Sequence, residues 1–371
     1  MRRGTTFFII PRINRTGGYE RQALTLARAL ITHGVPLRIL SDCEPSELRD
    51  RTRTIPAASV PKLHRVFRQE FLDARRAGPV VVHFHALYRF SAVGLWTATR
   101  LHLPTLLKLP SSTDVPLLFQ SPRLALRLFQ PTLQRVDRFL CPSQSAAEEL
   151  RPFLRRPEAS VYLPNGVDTR RFSPSTAEEQ RRQRDQLGIR LGHVILHVGR
   201  HVALKGGDIL IRAFAQTRGS LPADTGLLFL GDGEQTEAWK HLADDLGIGR
   251  AVSFAPIHAE PEPYFRAADA FVLPSLHEGM PNALLEAMAC GLPCVASNTG
   301  GIRDVLADRF PGQLVAPGDV GALAAALAKL FQSATLALGA QMRQHVDAHF
   351  SIDIISQRLI ALYEELIRST V

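Results

Sequence analysis

Two glutamates and two cations are the side chains of this sequence that are best suited to chemistry. Glu278 and Glu286 lie eight residues apart in the segment PSLHEGMPNALLEAMACG. Arg200 and Lys205 lie in GRHVALKGG, directly after the apolar run VILHVG. Arginine bonds oxyanions through a planar fork and lysine acts as a mobile point charge, so this pair suits a diphosphate. The alternatives are exposed cations at the start of a helix and solvated glutamates.

Pro281 is predicted to be the first position of a helix, where proline is favoured, and Glu286 then falls in the second turn. Glu278 is assigned to the preceding loop. The start of this helix offers free backbone groups to an anion, from Met280, Pro281, Asn282 and Ala283. A phosphate bound there would have one carboxylate on each side, with Glu286 placed for a ribose diol and Glu278 for the group beyond the phosphate.

A second set of polar residues lies in the amino-terminal half. The run Asn14-Arg15-Thr16-Gly17-Gly18 follows the first predicted strand and opens a helix, which indicates either an anion-binding loop or a tight turn. His83 and His85 end the strand VVHFH on one face. No H-E-x-x-H set accompanies them, so no metal site is predicted. The polar loop at 111–114 follows another strand, and the loop at 231–234 is interpreted as structural.

Short apolar runs that alternate with helical periodicity must position these residues. Strands are predicted at 5–10, 79–83, 105–109, 138–142, 193–198, 226–230, 251–254, 270–273 and 293–296. Helices are predicted at 19–31, 176–186, 207–216, 234–246, 283–289 and 320–331. Strands buried on both faces and joined by helical crossovers indicate an α/β fold with parallel sheets. Turn signals near Leu163–Pro174 divide the chain into two doubly wound, Rossmann-like domains facing a cleft.

The composition excludes several classes of protein. The 371 residues are 45% hydrophobic and 21% charged, as expected for about two folded domains of roughly 100–200 residues each. No apolar run approaches the ~20 residues that a membrane-spanning helix needs. The four cysteines give neither a disulfide framework nor a paired zinc motif. These features predict a soluble, cytoplasmic protein.

The positive charge is concentrated in the first half of the chain. Residues 1–165 hold 25 Lys and Arg against 12 Asp and Glu, a net charge of +13, whereas residues 166–371 have a net charge of −4. Such asymmetry favours a polyanionic partner. In the segment 60–77, VPKLHRVFRQEFLDARRA, an apolar stripe adjoins five basic residues. Two interpretations stay open: docking on an anionic membrane surface, or a helix that covers the sheet with solvated arginines outside.

In their order along the chain, these motifs resemble the retaining GT-B glycosyltransferases of family four. The resemblance rests on GGYERQALTLARAL, VVHFH, LPNGVDTRRFSP, GRHVALKGGDILIRAF, LGDGE and ADAFVLPSLHEGMPNALLEAMACGLPCVASNTGGIRDVL. It implies a domain of residues 1–165 on the acceptor side and a domain of residues 166–351 that binds the nucleotide sugar. The closing segment, about 352–371, resembles the helix that crosses back onto the first domain.

The resemblance also implies roles for individual residues. Arg200 and Lys205 would neutralise the leaving diphosphate, Glu286 would hold the ribose hydroxyls, and Glu278 would contact the donor sugar near its anomeric centre. His85 resembles the histidine that touches the transferred sugar, and the pair Gly17-Gly18 resembles the loop that faces the diphosphate. The sequence EGMPN, where many members have EGFG, resembles the subgroup that builds bacterial surface polysaccharides.

The family implies sugar transfer, with retention, from a UDP- or GDP-sugar to a glycan or lipid-linked acceptor, without a cofactor or a bound metal. The leaving phosphate would accept the proton of the acceptor hydroxyl, so no nucleophile is assigned. Peripheral location at the inner face of the membrane would follow from a lipid-linked acceptor. The competing interpretations are a GT-B sugar-nucleotide epimerase, a phosphorylase, which the chain length disfavours, and a basic nucleic-acid-binding protein, for which no recognised motif is present.

Overall fold

The structure, a computed structural model, describes residues 4–13, 17–45, 47–56, 58–109, 118–119, 124–256, 260–331 and 335–369. The chain divides into two compact units. Met1–Gly166 and Ile352–Val371 form the first unit, and Val167–Ser351 forms the second. The chain therefore leaves the first unit once and returns to it near the carboxyl terminus.

The first unit is built on a parallel sheet of seven strands in the order β3-β2-β1-β4-β5-β6-β7. The strands are β1 (Thr5–Ile9), β2 (Leu37–Ser41), β3 (Thr52–Thr54), β4 (Val80–Phe84), β5 (Thr105–Lys108), β6 (Arg138–Cys141) and β7 (Ser160–Tyr162). The predicted runs at 5–10, 79–83, 105–109 and 138–142 each form a strand. The prediction missed β2, β3 and β7, of which β3 and β7 have only three residues each.

Helices join these strands. They are α1 (Gly18–Thr32), α2 (Val60–Ala77), α3 (Arg89–Arg100), α4 (Leu124–Leu133) and α5 (Gln144–Leu150). Helix α1 covers the sheet face that carries Phe8 and Val81, and α2 and α3 cover the opposite face, which carries Phe7 and Val82. The sheet is thus covered on both faces, as a buried parallel sheet requires.

The apolar stripe of α2 packs into the core of the first unit. Leu63, Phe67 and Phe71 are buried, and the Phe71 ring lies edge-on to Phe7 with 5.1 Å between centroids. Of the two interpretations of this segment, the structure supports the helix that covers the sheet, because the aromatic rings of the stripe are buried in the core. The basic residues of the helix remain exposed, namely Lys62, Arg65, Arg68, Arg75 and Arg76.

The second unit is built on a parallel sheet of six strands in the order β10-β9-β8-β11-β12-β13. The strands are β8 (His193–Val198), β9 (Thr225–Leu230), β10 (Val252–Ala255), β11 (Ala270–Leu273), β12 (Cys294–Ser297) and β13 (Leu314–Val315). The helices are α6 (Ala177–Leu187), α7 (Gly207–Thr217), α8 (Thr236–Asp245), α9 (Glu262–Ala267), α10 (Asn282–Ala289), α11 (Gly300–Leu306), α12 (Val320–Lys329) and α13 (Thr335–His349). Two parallel sheets covered by helices confirm the predicted α/β class.

The last helix, α14 (Ile352–Arg368), packs on the first unit. Its buried residues Ile355, Leu359 and Leu366 join the core beside α1. The Tyr363 hydroxyl lies 2.7 Å from Nδ1 of His83 on β4. In the part of the chain that the structure describes, no helix combines the length and apolar character needed to span a bilayer.

Candidate functional site

In the second unit, the loops that follow β8 and β11 lie side by side. These strands are neighbours at the centre of the sheet, and the chain proceeds from them in opposite directions. This is the switch point at which open α/β sheets bind ligands. The Leu276 N–H donates to the Leu204 carbonyl at 2.9 Å, which joins the two loops. The structure thus brings Arg200, Lys205 and Glu278 to one edge of the sheet.

Lys205 and Glu278 form a direct ion pair between these loops. The Lys205 Nζ lies 2.6 Å from Oε2 of Glu278, and only 21% and 12% of the two side chains are exposed. Partial burial makes such a charge-assisted bond stronger than one on the open surface. The sequence analysis assigned the two residues to neighbouring groups of one ligand, but it did not predict that they contact each other.

Two glycines allow the backbone to approach the Glu278 loop closely. Gly206 has a φ of +67°, and a Cβ at this position would collide with the carbonyl oxygen of Pro274. Gly300 has a φ of +46°, and its Cβ would collide with the carbonyl oxygen of Glu278. Positive φ and close packing both demand glycine. The Glu278 loop is therefore held between the end of the β8 loop and the start of α11.

His201 fixes the backbone beside Arg200. Its N–H donates to the Asp232 carbonyl at 2.8 Å, and its carbonyl accepts from the Gln235 N–H at 2.9 Å. Its Nδ1 lies 2.8 Å from Oγ1 of Thr236, and burial lowers the pKa of this imidazole. This role of His201 was not predicted from the sequence. The loop at 231–234, which was interpreted as structural, holds the His201 backbone through the Asp232 carbonyl. Arg200 itself is exposed next to this anchor.

Helix α10 starts at Asn282, one residue before the predicted range 283–289 and one residue after Pro281. Pro281 is its N-cap and accepts the first helical bond, from the Leu285 N–H at 3.2 Å, so the prediction of Pro281 as the first helical position is wrong. A φ of −84° with a ψ of +86° puts this proline outside the helical region. Pro281 makes no side-chain capping bond, and the Asn282 N–H, which was predicted to be free for an anion, donates to the Met280 carbonyl at 3.1 Å. Met280 is buried, and Asn282 and Ala283 are half-buried.

Glu286 lies in the second turn of α10, as predicted, and is half-buried. It lies within electrostatic reach of Arg171, which forms ion pairs of 2.6 Å with Glu260 and 2.8 Å with Glu262. Burial alone would lower the pKa of Arg171, but the carboxylates around it raise it. Glu286 is thus one of three glutamates that interact with the Arg171 guanidinium. The spacing of these residues along the chain did not predict this cluster.

In the first unit, His85 lies at the corresponding switch point, between β1 and β4. Its N–H donates to the Ile9 carbonyl at 3.0 Å, and its ring packs on Phe8 and Tyr19. The side chain is buried, and neither ring nitrogen has a hydrogen-bond partner among the described residues. Burial, with the charges of Lys108 and His83, holds the pKa of His85 well below its usual value.

Gly17 and Gly18 lie at the start of α1 and are exposed. Gly17 is the N-cap, and a Cβ there would collide with the carboxylate of Glu20 in the first turn. This carboxylate adds negative charge at a helix end that would otherwise attract an anion. Asn14, Arg15 and Thr16, together with the predicted polar loop Ser111, Ser112, Thr113 and Asp114, lie outside the described residues.

Lys108 is a charged residue that the sequence analysis missed. It ends β5, is only 3% exposed, and donates from Nζ to Oδ1 of Asn165 at 2.7 Å. Burial lowers the pKa of Lys108 to about 8. The sequence LLKLP gave no local sign that the ammonium is buried. Among the described residues, no group of three or more His, Cys, Asp or Glu side chains is arranged to hold a metal ion.

Two family models match the chain, one in each half. The model described as Glycosyltransferase Family 4 matches residues 16–171, and that described as Glycosyl transferases group 1 matches residues 192–333. The two ranges together contain Gly17, Gly18, His85, Arg200, Lys205, Glu278 and Glu286.

Curated relatives share about a third of the residues over the matched part. A GDP-mannose-dependent alpha-(1-6)-phosphatidylinositol monomannoside mannosyltransferase of Mycolicibacterium smegmatis is 37% identical, over 47% of this chain and 48% of the relative. A D-inositol 3-phosphate glycosyltransferase of Corynebacterium jeikeium is 35% identical, over 55% of this chain and 51% of the relative. The chain thus spans about half the length of the curated relatives it matches.

Solved structures resemble almost the whole chain. Anabaena HepE in complex with UDP and glucose has a TM-score of 0.80 at 18% identity, over 98% of this chain and all of the other. WaaG, a glycosyltransferase involved in lipopolysaccharide biosynthesis, has a TM-score of 0.69 at 20% identity, over 96% and 98%. At such identities the likeness concerns the fold alone, and it confirms the predicted GT-B class.

Proposed function

Because the chain belongs to the glycosyltransferases of group 1 and family 4, we propose that it transfers a sugar from a nucleotide diphosphate donor to an acceptor hydroxyl. The observation that carries this proposal is the grouping of Arg200, Lys205 and Glu278 at the β8–β11 switch point, which lies at the chain segment that leads into α10. Such a site combines cations and a helix dipole with a carboxylate, which suits a diphosphate that carries a sugar.

Departure of the nucleoside diphosphate is the step that these cations would assist. As the bond to the sugar breaks, negative charge builds on the phosphate oxygens. Lys205 and Arg200, which are held by backbone bonds at 199–206, would stabilise that charge with little rearrangement. The acceptor hydroxyl would lose its proton to the leaving phosphate, and the sugar would keep its anomeric configuration. This route needs neither a protein nucleophile nor a metal ion.

The remaining site residues would hold the donor. Glu286, on α10, would accept hydrogen bonds from the ribose hydroxyls, and Glu278 would contact the sugar near its anomeric carbon. In the first unit, His85 would contact the transferred sugar and Gly17-Gly18 would face the diphosphate. The unpartnered ring nitrogens of His85 support its assignment to a ligand, because buried polar atoms normally have partners.

The donor is a GDP- or UDP-sugar and the acceptor is a glycan or a lipid-linked compound of the cell surface. The name of one relative specifies GDP-mannose, whereas HepE was solved with UDP and glucose. The relatives' names also specify phosphatidylinositol mannoside and inositol phosphate acceptors. A lipid-linked acceptor would bring the protein to the cytoplasmic face of the inner membrane, where the exposed basic residues of α2 favour anionic lipid.

A thermal-shift screen against UDP, GDP, ADP and their sugars tests the donor assignment. A ligand present at 100 times its Kd stabilises the folded state by about 2.7 kcal/mol. One nucleotide and its sugar are expected to raise the melting temperature. In a second experiment, the protein is given that nucleotide sugar and a lipid extract as acceptor, and the anomeric configuration of the product is read by NMR. Absence of a shift with every nucleotide would overturn the proposal, and an inverted anomer would overturn retention.

A further inference from the structure

Arg171 lies on a helical turn at the start of the second unit. The Phe172 N–H donates to the Asp168 carbonyl at 2.9 Å, and Oδ1 of Asp168 accepts from the Arg171 N–H at 3.2 Å. Arg343, on α13, donates to the carbonyl of Thr169 at 2.9 Å and to that of Phe172 at 3.0 Å. The backbone of Arg171 is therefore fixed by bonds on both sides of it.

The same arginine of α13 joins this turn to α10. Nη1 of Arg343 donates to the carbonyl of Ala289, the last residue of α10, as well as to that of Phe172. Helix α10 carries Glu286 in its second turn. Arg171 and Glu286 thus lie on two segments that one guanidinium holds together, and a movement of either segment relative to the other would break these bonds.

The Arg171 guanidinium is surrounded by carboxylates. Its Nη2 lies 2.6 Å from Oε2 of Glu260 and 2.8 Å from Oε2 of Glu262, and Glu286 contributes to the negative charge around it. The side chains of Arg171 and Glu262 are only 32% and 18% exposed. Such partly buried, charge-assisted bonds restrict the guanidinium more than pairs on the open surface would. Arg171 therefore connects the start of α9 with the carboxylate of α10.

A carboxylate can serve a guanidinium and a ligand at the same time. Its two oxygens offer about four lone-pair sites, so it can accept from an arginine and from two hydroxyls. Without Arg171, the carboxylates gathered around it would repel one another, and like charges disfavour the ionised form, which is the stronger acceptor. Arg266 and Arg343 do not compensate, since both donate to backbone carbonyls of the turn that carries Arg171. Loss of Arg171 would thus weaken Glu286 as an acceptor.

We propose that Arg171 is a positioning residue of the donor site, which holds the Glu286 carboxylate charged and oriented for the two ribose hydroxyls of the nucleotide. The inference rests on the proposed function, which assigns Glu286 to the ribose. Arg171 itself contacts neither the sugar nor the diphosphate. Its removal is therefore expected to weaken nucleotide binding through Glu286 alone.

The test is a double-mutant cycle of Arg171→Met and Glu286→Ala in the full chain. Calorimetric titration measures the Kd of the nucleoside diphosphate that the thermal-shift screen selects from UDP, GDP and ADP. Arg171→Met is expected to raise this Kd about tenfold, within the range of coupling between neighbouring residues. In the Glu286→Ala background, Arg171→Met is expected to raise the Kd no further, because its effect passes through Glu286.

The 2′,3′-dideoxy form of the same nucleotide, which lacks both ribose hydroxyls, is expected to bind Arg171→Met and the unaltered chain equally. Arg171→Lys, which keeps the charge, is expected to recover part of the affinity for the nucleotide itself. Arg181→Met removes an exposed arginine of α6 and is the control. If Arg171→Met does not fold, the cycle is run with Arg171→Met combined with Glu262→Gln, so that the partly buried Glu262 is not left as an unpaired charge.

A loss of affinity that persists in the Glu286→Ala background, or an equal loss for the dideoxy nucleotide, would overturn the inference and assign Arg171 a structural role. If Glu286→Ala weakens nucleotide binding while Arg171→Met does not, this inference fails and the proposed function stands. If none of UDP, GDP and ADP binds the unaltered chain, the proposed function fails and this inference fails with it.

Discussion

The ammonium of Lys205 lies 2.6 Å from a carboxylate oxygen of Glu278, so two side chains from the ends of neighbouring strands neutralise each other. In the proposed reaction the incoming diphosphate and Glu278 compete for this ammonium. Binding of the donor would draw Lys205 toward the phosphate oxygens and leave the carboxylate for the sugar. The ion pair therefore keeps both residues oriented in the site before the donor arrives.

Replacing either cation is expected to abolish most of the transfer activity while the protein stays folded. Loss of one preorganised donor to a developing oxyanion lowers the rate by about 10²–10³. Steady-state kinetics of Lys205→Ala and Arg200→Ala, with circular dichroism as the test of folding, measure this effect. Lys329→Ala, which removes an exposed lysine of the same unit, is the control. Near-normal turnover in either site variant would refute the assignment.

The two glutamates are expected to affect different steps. Glu286→Ala should weaken binding of the nucleoside diphosphate about 10- to 100-fold, since hydrogen bonds to charged groups contribute about 1.5–3 kcal/mol. Glu278→Ala should lower kcat but bind the nucleotide at least as tightly, because Lys205 loses its competing partner. Calorimetric titration and single-turnover kinetics separate the two effects, and Glu237→Ala, on the exposed face of α8, is the control. Unchanged nucleotide affinity in Glu286→Ala would contradict the ribose assignment.

Stability is expected to fall as the pH decreases from 6.5 toward 3. Burial lowers the pKa of His197 from 6.5 to about 3, and His83 and His85 are shifted in the same direction. Between these values the unfolded chain binds more protons than the folded one, so acid favours unfolding. Each such histidine contributes a slope of about 1.4 kcal/mol per pH unit within its window.

Denaturant unfolding at several pH values between 4 and 7 measures this slope. His197→Phe should reduce the slope of stability against pH by about 1.4 kcal/mol per pH unit, which corresponds to one proton. His277→Gln, at an exposed position, is the control and should leave the slope unchanged. An equal slope in the two variants would show that His197 does not account for the acid sensitivity.

Charge reversal on α2 is expected to weaken binding to anionic vesicles. Lys62, Arg65 and Arg68 are exposed, and each basic residue near such a surface contributes about 1 kcal/mol. Changing all three to glutamate should reduce co-sedimentation by about 100-fold or more at low salt, and high salt should abolish it in the unaltered chain. The same change at Arg181, Arg182 and Arg190 of the second unit is the control. If the unaltered chain bound neutral and anionic vesicles equally, the exposed basic residues of α2 would not account for its binding to membranes.

Much of the fold was predictable because buried parallel strands must be apolar on both faces. The strand β8 was predicted for this reason. The helix α10 was predicted within one residue from its helical periodicity, although Pro281 is its N-cap and not its first residue. The direction in which α2 faces was not predictable. Leu63, Phe67 and Phe71 form the same stripe whether they cover a sheet or a membrane, and only the rings that meet them decide between the two.

The candidate site was predictable as a set of residues but not as a set of contacts. Spacing and chain position predicted Arg200, Lys205, Glu278 and Glu286 as candidates, since the first three follow strands and Glu286 lies in the second turn of a helix. Burial of Lys108 was not predictable, because it depends on which strands and helices surround β5. The ion pair of Lys205 with Glu278 joins residues 73 positions apart and follows from the strand order of the sheet.

Helix α14 belongs to the first unit but follows the second unit along the chain, so the core of the first unit is completed only after the second unit has been synthesised. The Tyr363 hydroxyl that bonds His83 is made 280 residues after it. At about 5–20 residues per second, the ribosome takes about 14–56 s to cover that interval. The second unit is one uninterrupted stretch and can complete its core first, whereas the sheet face of β1 and β4 waits for its last helix. A nascent chain thus exposes the sheet face around His83 and His85 until α14 has been made.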